Sequence, residues 1–454
     1  MLTIGKNADP EYYNSLLESR DRRKNSANYY EDGAGVKEPP GRIYDPQGIF
    51  GLEDGTEPGR NTLNLLIQGR DPCSGSLLPG LHRTGKNKGR QNKRSKKKDA
   101  IRTESFDLTF SAPKSVSLLL AWSSLPLQEQ IIAAQEAAVR AVFEHFQTHL
   151  CRTRLGKDGV FIKRAKMGAV QFTQLDARPT IDEVGSARSD PNLHTHNVVP
   201  NPVLVEIERD DGSIVEEYRT LDAQAIFNNQ HSLDQIYKAE LSEQLCKLGI
   251  KLRRTSDKRG LHSFEVEGFD RDTIDLFSKR AKEVDDLHEA MLADGHSEKY
   301  AKRYATTNSR KAKTEETLAE RDARWKAEAK EHGFDASRME RIAGDGKPIE
   351  TVAISDEELF GQFVQLIQTK TVINHDDLWS AAADVFVGRG CSEGDIANAV
   401  ERIVGSGIVV PLDDSPRGTC RYVPTDLVVK QFELESLTDE LANTTAHPTL
   451  LSEN

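Results

Sequence analysis

The stretch Asp190-Pro191-Asn192-Leu193-His194-Thr195-His196-Asn197-Val198-Val199 sets two imidazoles two positions apart in a run that ends in β-branched residues. A turn signal opening a period-two run predicts a strand, and side chains at i and i+2 then leave one face about 7 Å apart. Two imidazoles so placed can share one divalent cation. Taken alone, the pair reads equally well as two histidines on a solvated strand face. A second alternating run, from Met167 to Gln174, carries Val170, Phe172 and Gln174 on one face. Paired antiparallel with the histidine strand, it brings the Gln174 amide oxygen beside the imidazoles as a third ligand.

The elements that must position these groups follow from periodicity. Residues 106–117 predict a strand ending in a polar turn, with Ser111 capping the next helix and Pro113 in an early helical position. Helical spacing over residues 128–150 and 225–248 predicts two long helices. Asp210-Asp211-Gly212 between two β-branched runs predicts a hairpin. Helices packed on one face of an antiparallel sheet give an α+β fold.

Composition narrows the class. A chain of 454 residues with 37% hydrophobic content admits two or three domains of ordinary globular protein. No apolar run is long enough to span a bilayer and no signal peptide opens the sequence, so no membrane insertion is expected. Five scattered cysteines without metal-binding spacing suggest a reduced, cytoplasmic protein. The net charge of −11 argues against indiscriminate nucleic-acid binding, but Lys and Arg crowd residues 86–98, where Lys93, Arg94, Lys96, Lys97 and Lys98 lie. Such a run is more often a solvated loop than a groove, but its place just before the Asp107 strand would let it grip phosphates. Lys114, opening the next helix, joins this candidate DNA-binding set.

The run from Phe106 to Ser117, followed by Phe172-x-Gln174 and Asp190-Pro191-x-Leu193-His194-Thr195-His196, resembles the relaxase domain of the MobF (F-plasmid and TrwC-like) conjugative relaxases, which are HUH endonucleases. Three separated motifs stand in family order. Further landmarks continue the likeness over roughly residues 1–335: Tyr218-Arg219-Thr220-Leu221-Asp222, Tyr237, Phe277-Ser278-Lys279-Arg280 and Trp325-Lys326-Ala327. The resemblance implies a palm-like antiparallel sheet with flanking helices and a divalent metal on its central strands.

It also implies roles. Tyrosine pairs by themselves are packing residues, but the resemblance makes Tyr12-Tyr13 the pair that attacks a DNA phosphate, with Tyr12 the better match. Tyr29-Tyr30 then match the pair used in a second strand transfer. A phenol with an unperturbed pKa of about 10 must lose its proton to become a nucleophile. A metal on His194, His196 and Gln174 would polarise the scissile phosphate. Asp107 would fix a ligand imidazole's tautomer or take the tyrosine proton. The family's usual third ligand is histidine. Gln174 in its place offers a neutral oxygen that suits Mg²⁺ or Mn²⁺.

Residues 336–350 read as a linker, 351–430 as a winged-helix-like domain of three helices and a two-stranded wing, and 431–454 as a polar disordered tail. No Gly-x-x-x-x-Gly-Lys-Ser/Thr loop occurs, so the sequence reads as a relaxase without its helicase or as a remnant of a longer one. The expected activity is metal-dependent nicking and strand transfer through a 5′-phosphotyrosine, initiating conjugative mobilisation. Expected partners are single-stranded DNA at a transfer origin, a type IV secretion coupling protein and a separate helicase. The setting is the bacterial cytoplasm, with export alongside the transferred DNA. Two alternatives are a rolling-circle replication initiator of the HUH class and a non-catalytic DNA-binding remnant.

Overall fold

The computed structural model describes residues 1–24, 38–81, 104–156, 159–181, 185–257, 260–309, 316–351, 353–412 and 420–443. Tyr29, Tyr30, Lys93, Arg94, Lys96, Lys97 and Lys98 lie outside them.

A five-stranded antiparallel sheet organises the chain. Its order is Leu2–Lys6, Ser105–Ser111, Pro191–Pro200, Ala169–Asp176 and Arg42–Tyr44, so the histidine strand is central. Alternation divides the side chains cleanly, as period two requires. Phe106, Leu108, Phe110, Leu193, Val199, Ala169 and Leu175 join the main hydrophobic core beneath the sheet. Helices Lys114–Trp122, Leu125–His145 and Gln230–Lys247 cover that face, with Val116, Leu119, Ile131, Val142, Leu233 and Leu241 buried against it. Val170, Phe172 and Val198 point the other way, into a smaller cluster with Tyr13, Leu63 and Leu66. The sheet is therefore covered on both faces, and the second face is closed partly by the tyrosine helix Pro10–Lys24.

A polar seam crosses the buried face directly below the histidines. Gln135 donates to the Phe110 carbonyl at 3.1 Å and to Thr195 Oγ1 at 3.2 Å, and it accepts from Tyr237 at 2.6 Å. Thr195 Oγ1 lies 3.0 Å from Thr173 Oγ1. Satisfied buried polar groups of this kind fix one register where apolar packing alone tolerates slippage.

Several expectations change. Ser111 ends its strand and does not cap the helix; Pro113 occupies the N-cap itself, with extended φ/ψ, and helix Lys114–Trp122 starts after it. The long helix over residues 128–150 closes with a π-turn at Phe146–Leu150. The span 225–248 holds two helices, Ala223–Asn228 and Gln230–Lys247. Thr180–Ile181 and Ala187–Arg188 pair as a small antiparallel ladder before the histidine strand.

Residues 336–350 do not hang free. Helix Ala336–Ala343 is capped by Asp335 and buries Met339 and Ile342. Beyond it, Gly344 and Gly249, both with positive φ, allow main chains to touch. A Cβ at Gly344 would meet the Gly249 carbonyl oxygen at 2.5 Å, and one at Gly249 would meet the Lys347 carbonyl at 2.7 Å. Farther on, helices Asp356–Thr369, His375–Phe386 and Glu393–Gly405 alternate with strands Ile373–Asn374, Val409–Leu412 and Arg421–Pro424. The sheet there has three strands, not two. Its helices share the main hydrophobic core, and Arg254 donates to the Asp384 and Val385 carbonyls at 2.9 Å. The expected tail begins as helix Thr425–Asn443, because Leu427, Val429, Leu434 and Leu437 sit among good helix formers. Among the described residues no helix is long and apolar enough to cross a membrane.

Candidate metal and tyrosine centre

His194 and Gln174 are direct cross-strand partners, and His196 faces Thr109 on the other neighbour. The two imidazole centroids are 5.0 Å apart at 72°, closer than flat-strand spacing because the rings tilt towards each other. Their outward nitrogens are set by what the inward ones touch. His194 Nδ1 lies 2.8 Å from the Asn192 carbonyl, which can only accept, so Nδ1 carries the proton and Nε2 keeps its lone pair. His196 Nδ1 lies 2.9 and 3.2 Å from the two oxygens of Asp107, with the same consequence. Two imidazoles presenting free Nε2 atoms, each fixed by an acceptor at Nδ1, are in the tautomer that metal ligation requires. Burial and the neighbouring His196 push the His194 pKa down to about 4, which keeps its ring neutral.

The two tyrosines diverge. Tyr13 is 3% exposed, stacks on Phe172 at 4.8 Å and donates its hydroxyl to Asp107 at 2.7 Å. Burial, and then the Asp107 charge, raise its pKa far above that of an ordinary phenol. Tyr12 is only half-buried, and its oxygen sits 2.9 Å from Gln174 Nε2 and 3.2 Å from Gln174 Oε1. Arg178 stands over the Tyr12 ring at 5.7 Å. Asp107 therefore joins Tyr13 to His196, while Tyr12 is the phenol beside the proposed third ligand. For Asp107 itself, burial alone would raise the pKa. The hydrogen bonds from His196, Tyr13 and Thr109 outweigh that and hold it below the usual carboxylate range.

The Asp190-Pro191 turn that aims the histidine strand is anchored from far along the chain. Trp325 Nε1 and Arg324 each donate to the Ser189 carbonyl at 3.0 Å. The Lys279 backbone N–H donates to Asp190 at 3.0 Å, and its ammonium lies 3.4 Å from the same carboxylate. Two landmarks noted only as sequence likeness thus have a physical task. Lys114, expected to contact phosphates, donates its ammonium to the Pro191 carbonyl at 2.6 Å and steadies the same turn. Arg178, Thr109 and the Asn192 carbonyl were not singled out in the sequence. Nothing short of the strand register reveals them.

Known proteins resemble this chain over most of its length. The model of the TrwC relaxase family matches residues 6–332. The multifunctional conjugation protein TraI of Escherichia coli is 26% identical over 345 residues, covering 76% of this chain and 17% of that protein. TraI of strain K12 is 25% identical over 345 residues. The chain thus spans about a sixth of the length of these curated relatives. Among solved structures, the conjugative relaxase TrwC in complex with oriT DNA superposes with a TM-score of 0.51 in a metal-bound form and 0.50 in a metal-free form. Both are 28% identical and cover 74% of this chain and 99% of that one.

Proposed function

The chain belongs to the TrwC relaxase family, and from that premise we propose that it nicks one strand of DNA at a transfer origin, becoming joined to the 5′ phosphate. The observation that carries this reading is the meeting of the Tyr12 hydroxyl with Gln174, directly across the ladder from His194. The Tyr12 oxygen attacks phosphorus, the bond from phosphorus to the 3′ oxygen breaks, and a tyrosine phosphodiester replaces the DNA phosphodiester. The phenol proton passes to water, and the departing 3′ oxygen takes one up. Because one phosphodiester is exchanged for another, the cut end stays activated for rejoining.

His194, His196 and Gln174 would hold a divalent ion, whose chemistry is Lewis-acid polarisation of the scissile phosphate. The donor set fits: two imidazoles with Nδ1 held by an acceptor and Nε2 turned outward, and one amide oxygen. That oxygen favours Mg²⁺ or Mn²⁺ over softer ions. Asp107 acts as the positioning residue that holds the His196 ring, and Tyr13 donates to Asp107. The second strand transfer falls by resemblance to Tyr29-Tyr30, and phosphate contacts outside the centre to the Lys- and Arg-rich residues 86–98. Residues 351–430 are read as a winged-helix-like module on the relaxase body. The setting is the bacterial cytoplasm, with a coupling protein and a helicase as partners.

Incubation with single-stranded DNA carrying the cognate origin and Mn²⁺ should give a covalent adduct that survives denaturation. The His194→Ala/His196→Ala variant should give none while retaining the hairpin affinity. Strong hairpin binding without adduct from the wild type under either Mg²⁺ or Mn²⁺ would favour a non-catalytic DNA-binding remnant.

A further inference from the structure

Where helix Leu125–His145 passes into the π-turn Phe146–Leu150, His145 and His149 fall on one face with ring centroids 4.7 Å apart. Single π-turns of this kind recur at functional sites. Facing them is Glu393, the first residue of helix Glu393–Gly405, with Oε1 3.3 Å from His145 Nδ1. One ligand atom from each of His145, His149 and Glu393 lies within 4.8 Å of the others, and among the described residues no other trio of His, Cys or carboxylate groups is so placed. The three line a cleft of about 560 Å³ that also holds Glu240, His375 and Trp379.

We propose that His145, His149 and Glu393 form a second metal site that takes a zinc-class divalent ion and clamps the C-terminal helices to the relaxase body. The donor chemistry separates it from the catalytic centre. Two imidazoles and a carboxylate form a zinc ligand set, whereas the centre on the sheet offers an amide oxygen in the third place. Ligands about 2.1 Å from one tetrahedral ion stand roughly 3.4 Å apart, so closing from 4.8 Å needs side-chain movement of little more than an ångström. The cleft lies between the helix that underpins the sheet and one that comes 248 residues later, as the His145–Glu393 separation shows. His375 stacks on His149 at 5.9 Å and is the nearest further imidazole for the fourth corner. The competing account of the cluster is an ion pair beside imidazoles packed on Trp379, whose ring lies 4.3 Å from that of His145 and 5.1 Å from that of His149.

The test uses the full chain carrying His194→Ala/His196→Ala, so that the catalytic centre is silent and failure of the nicking reading does not affect the outcome. Titrated Co²⁺ should bind at one equivalent, develop visible absorption, quench Trp379 fluorescence and be displaced by Zn²⁺. Adding Glu393→Gln, which preserves shape and the Ser392 cap, should weaken binding by at least tenfold, since even losing a partner that only orients a ligand costs about 10–100-fold. His149→Ala should do at least as much. Absence of saturable Co²⁺ binding in this background would leave the cluster an ion pair, as would an affinity unchanged by both substitutions.

Discussion

Replacing Asp107 by Asn isolates the group that orients His196. The carboxylate accepts from Tyr13 at 2.7 Å and from His196 at 2.9 Å through the same oxygen, with Thr109 at 3.2 Å on the other. An asparagine keeps one acceptor oxygen and turns an N–H₂ towards whichever donor is left over. Because Tyr13 and His196 share one oxygen, the amide either gives that place to its N–H₂, which cannot accept from the His196 Nδ1–H, or keeps a neutral oxygen there that holds the ring more weakly than the carboxylate does. Losing such an orienting partner costs about 10–100-fold in metal affinity, or roughly 1.4–2.7 kcal/mol. The buried donor left unpaired costs about 1–3 kcal/mol of stability. The assay is adduct yield against Mn²⁺ concentration, whose midpoint should move up by that factor in Asp107→Asn. Tyr13→Phe should lose about 1 kcal/mol of stability with its midpoint unmoved, because the His196–Asp107 contact survives. A midpoint in Asp107→Asn within threefold of wild type would refute the orienting role. Acid adds a sign check. A carboxylate with a depressed folded pKa contributes stability above its unfolded value of about 3.9, and that contribution is lost as pH falls below it. The stability gap between wild type and Asp107→Asn should therefore close in melts below about pH 4.

Gln174→His should tighten Co²⁺ or Zn²⁺ binding at the catalytic centre by tenfold or more, since imidazole is the stronger donor for such ions; titration in a His149→Ala background reads this, and weaker binding would place the third ligand elsewhere. Burial lowers the Lys114 pKa to about 8 against about 10.4 in the unfolded chain, so between those values the unfolded state holds more protons and stability rises with pH. Lys114→Met should remove that rise, as denaturant midpoints at pH 7.5, 9 and 10 will record, and parallel pH profiles would show that the ammonium is not held in a desolvated place.

Alternation made the shared face of the two histidines readable in the sequence. Once His194 and His196 were placed on a strand, period two left no choice about sharing a face, and the run ending at Gln174 had only to pair in one register to reach them. Chemistry that depends on helix rotation was not readable. Tyr12 and Tyr13 are adjacent in sequence, yet one meets Gln174 and the other Asp107, and the packing of Tyr13 on Phe172 decides which. Lys114 looked like a phosphate contact because charge is local information, whereas its partner, the Pro191 carbonyl, lies 77 residues away. Residues 336–350 read as a linker because Gly344 and Gly346 are helix breakers. The first serves instead for close approach to Gly249, a contact that no local pattern signals.

Tyr12, set against Gln174, is the proposed first nucleophile. The most direct measurement digests the denatured protein–DNA adduct with protease and nuclease and locates the phosphotyrosine by mass spectrometry. The modification should lie on Tyr12 and be lost in Tyr12→Phe, which removes the hydroxyl and keeps almost all of the ring's packing. A modification found on Tyr13, the buried partner of Asp107, or an undiminished adduct in Tyr12→Phe, would contradict it.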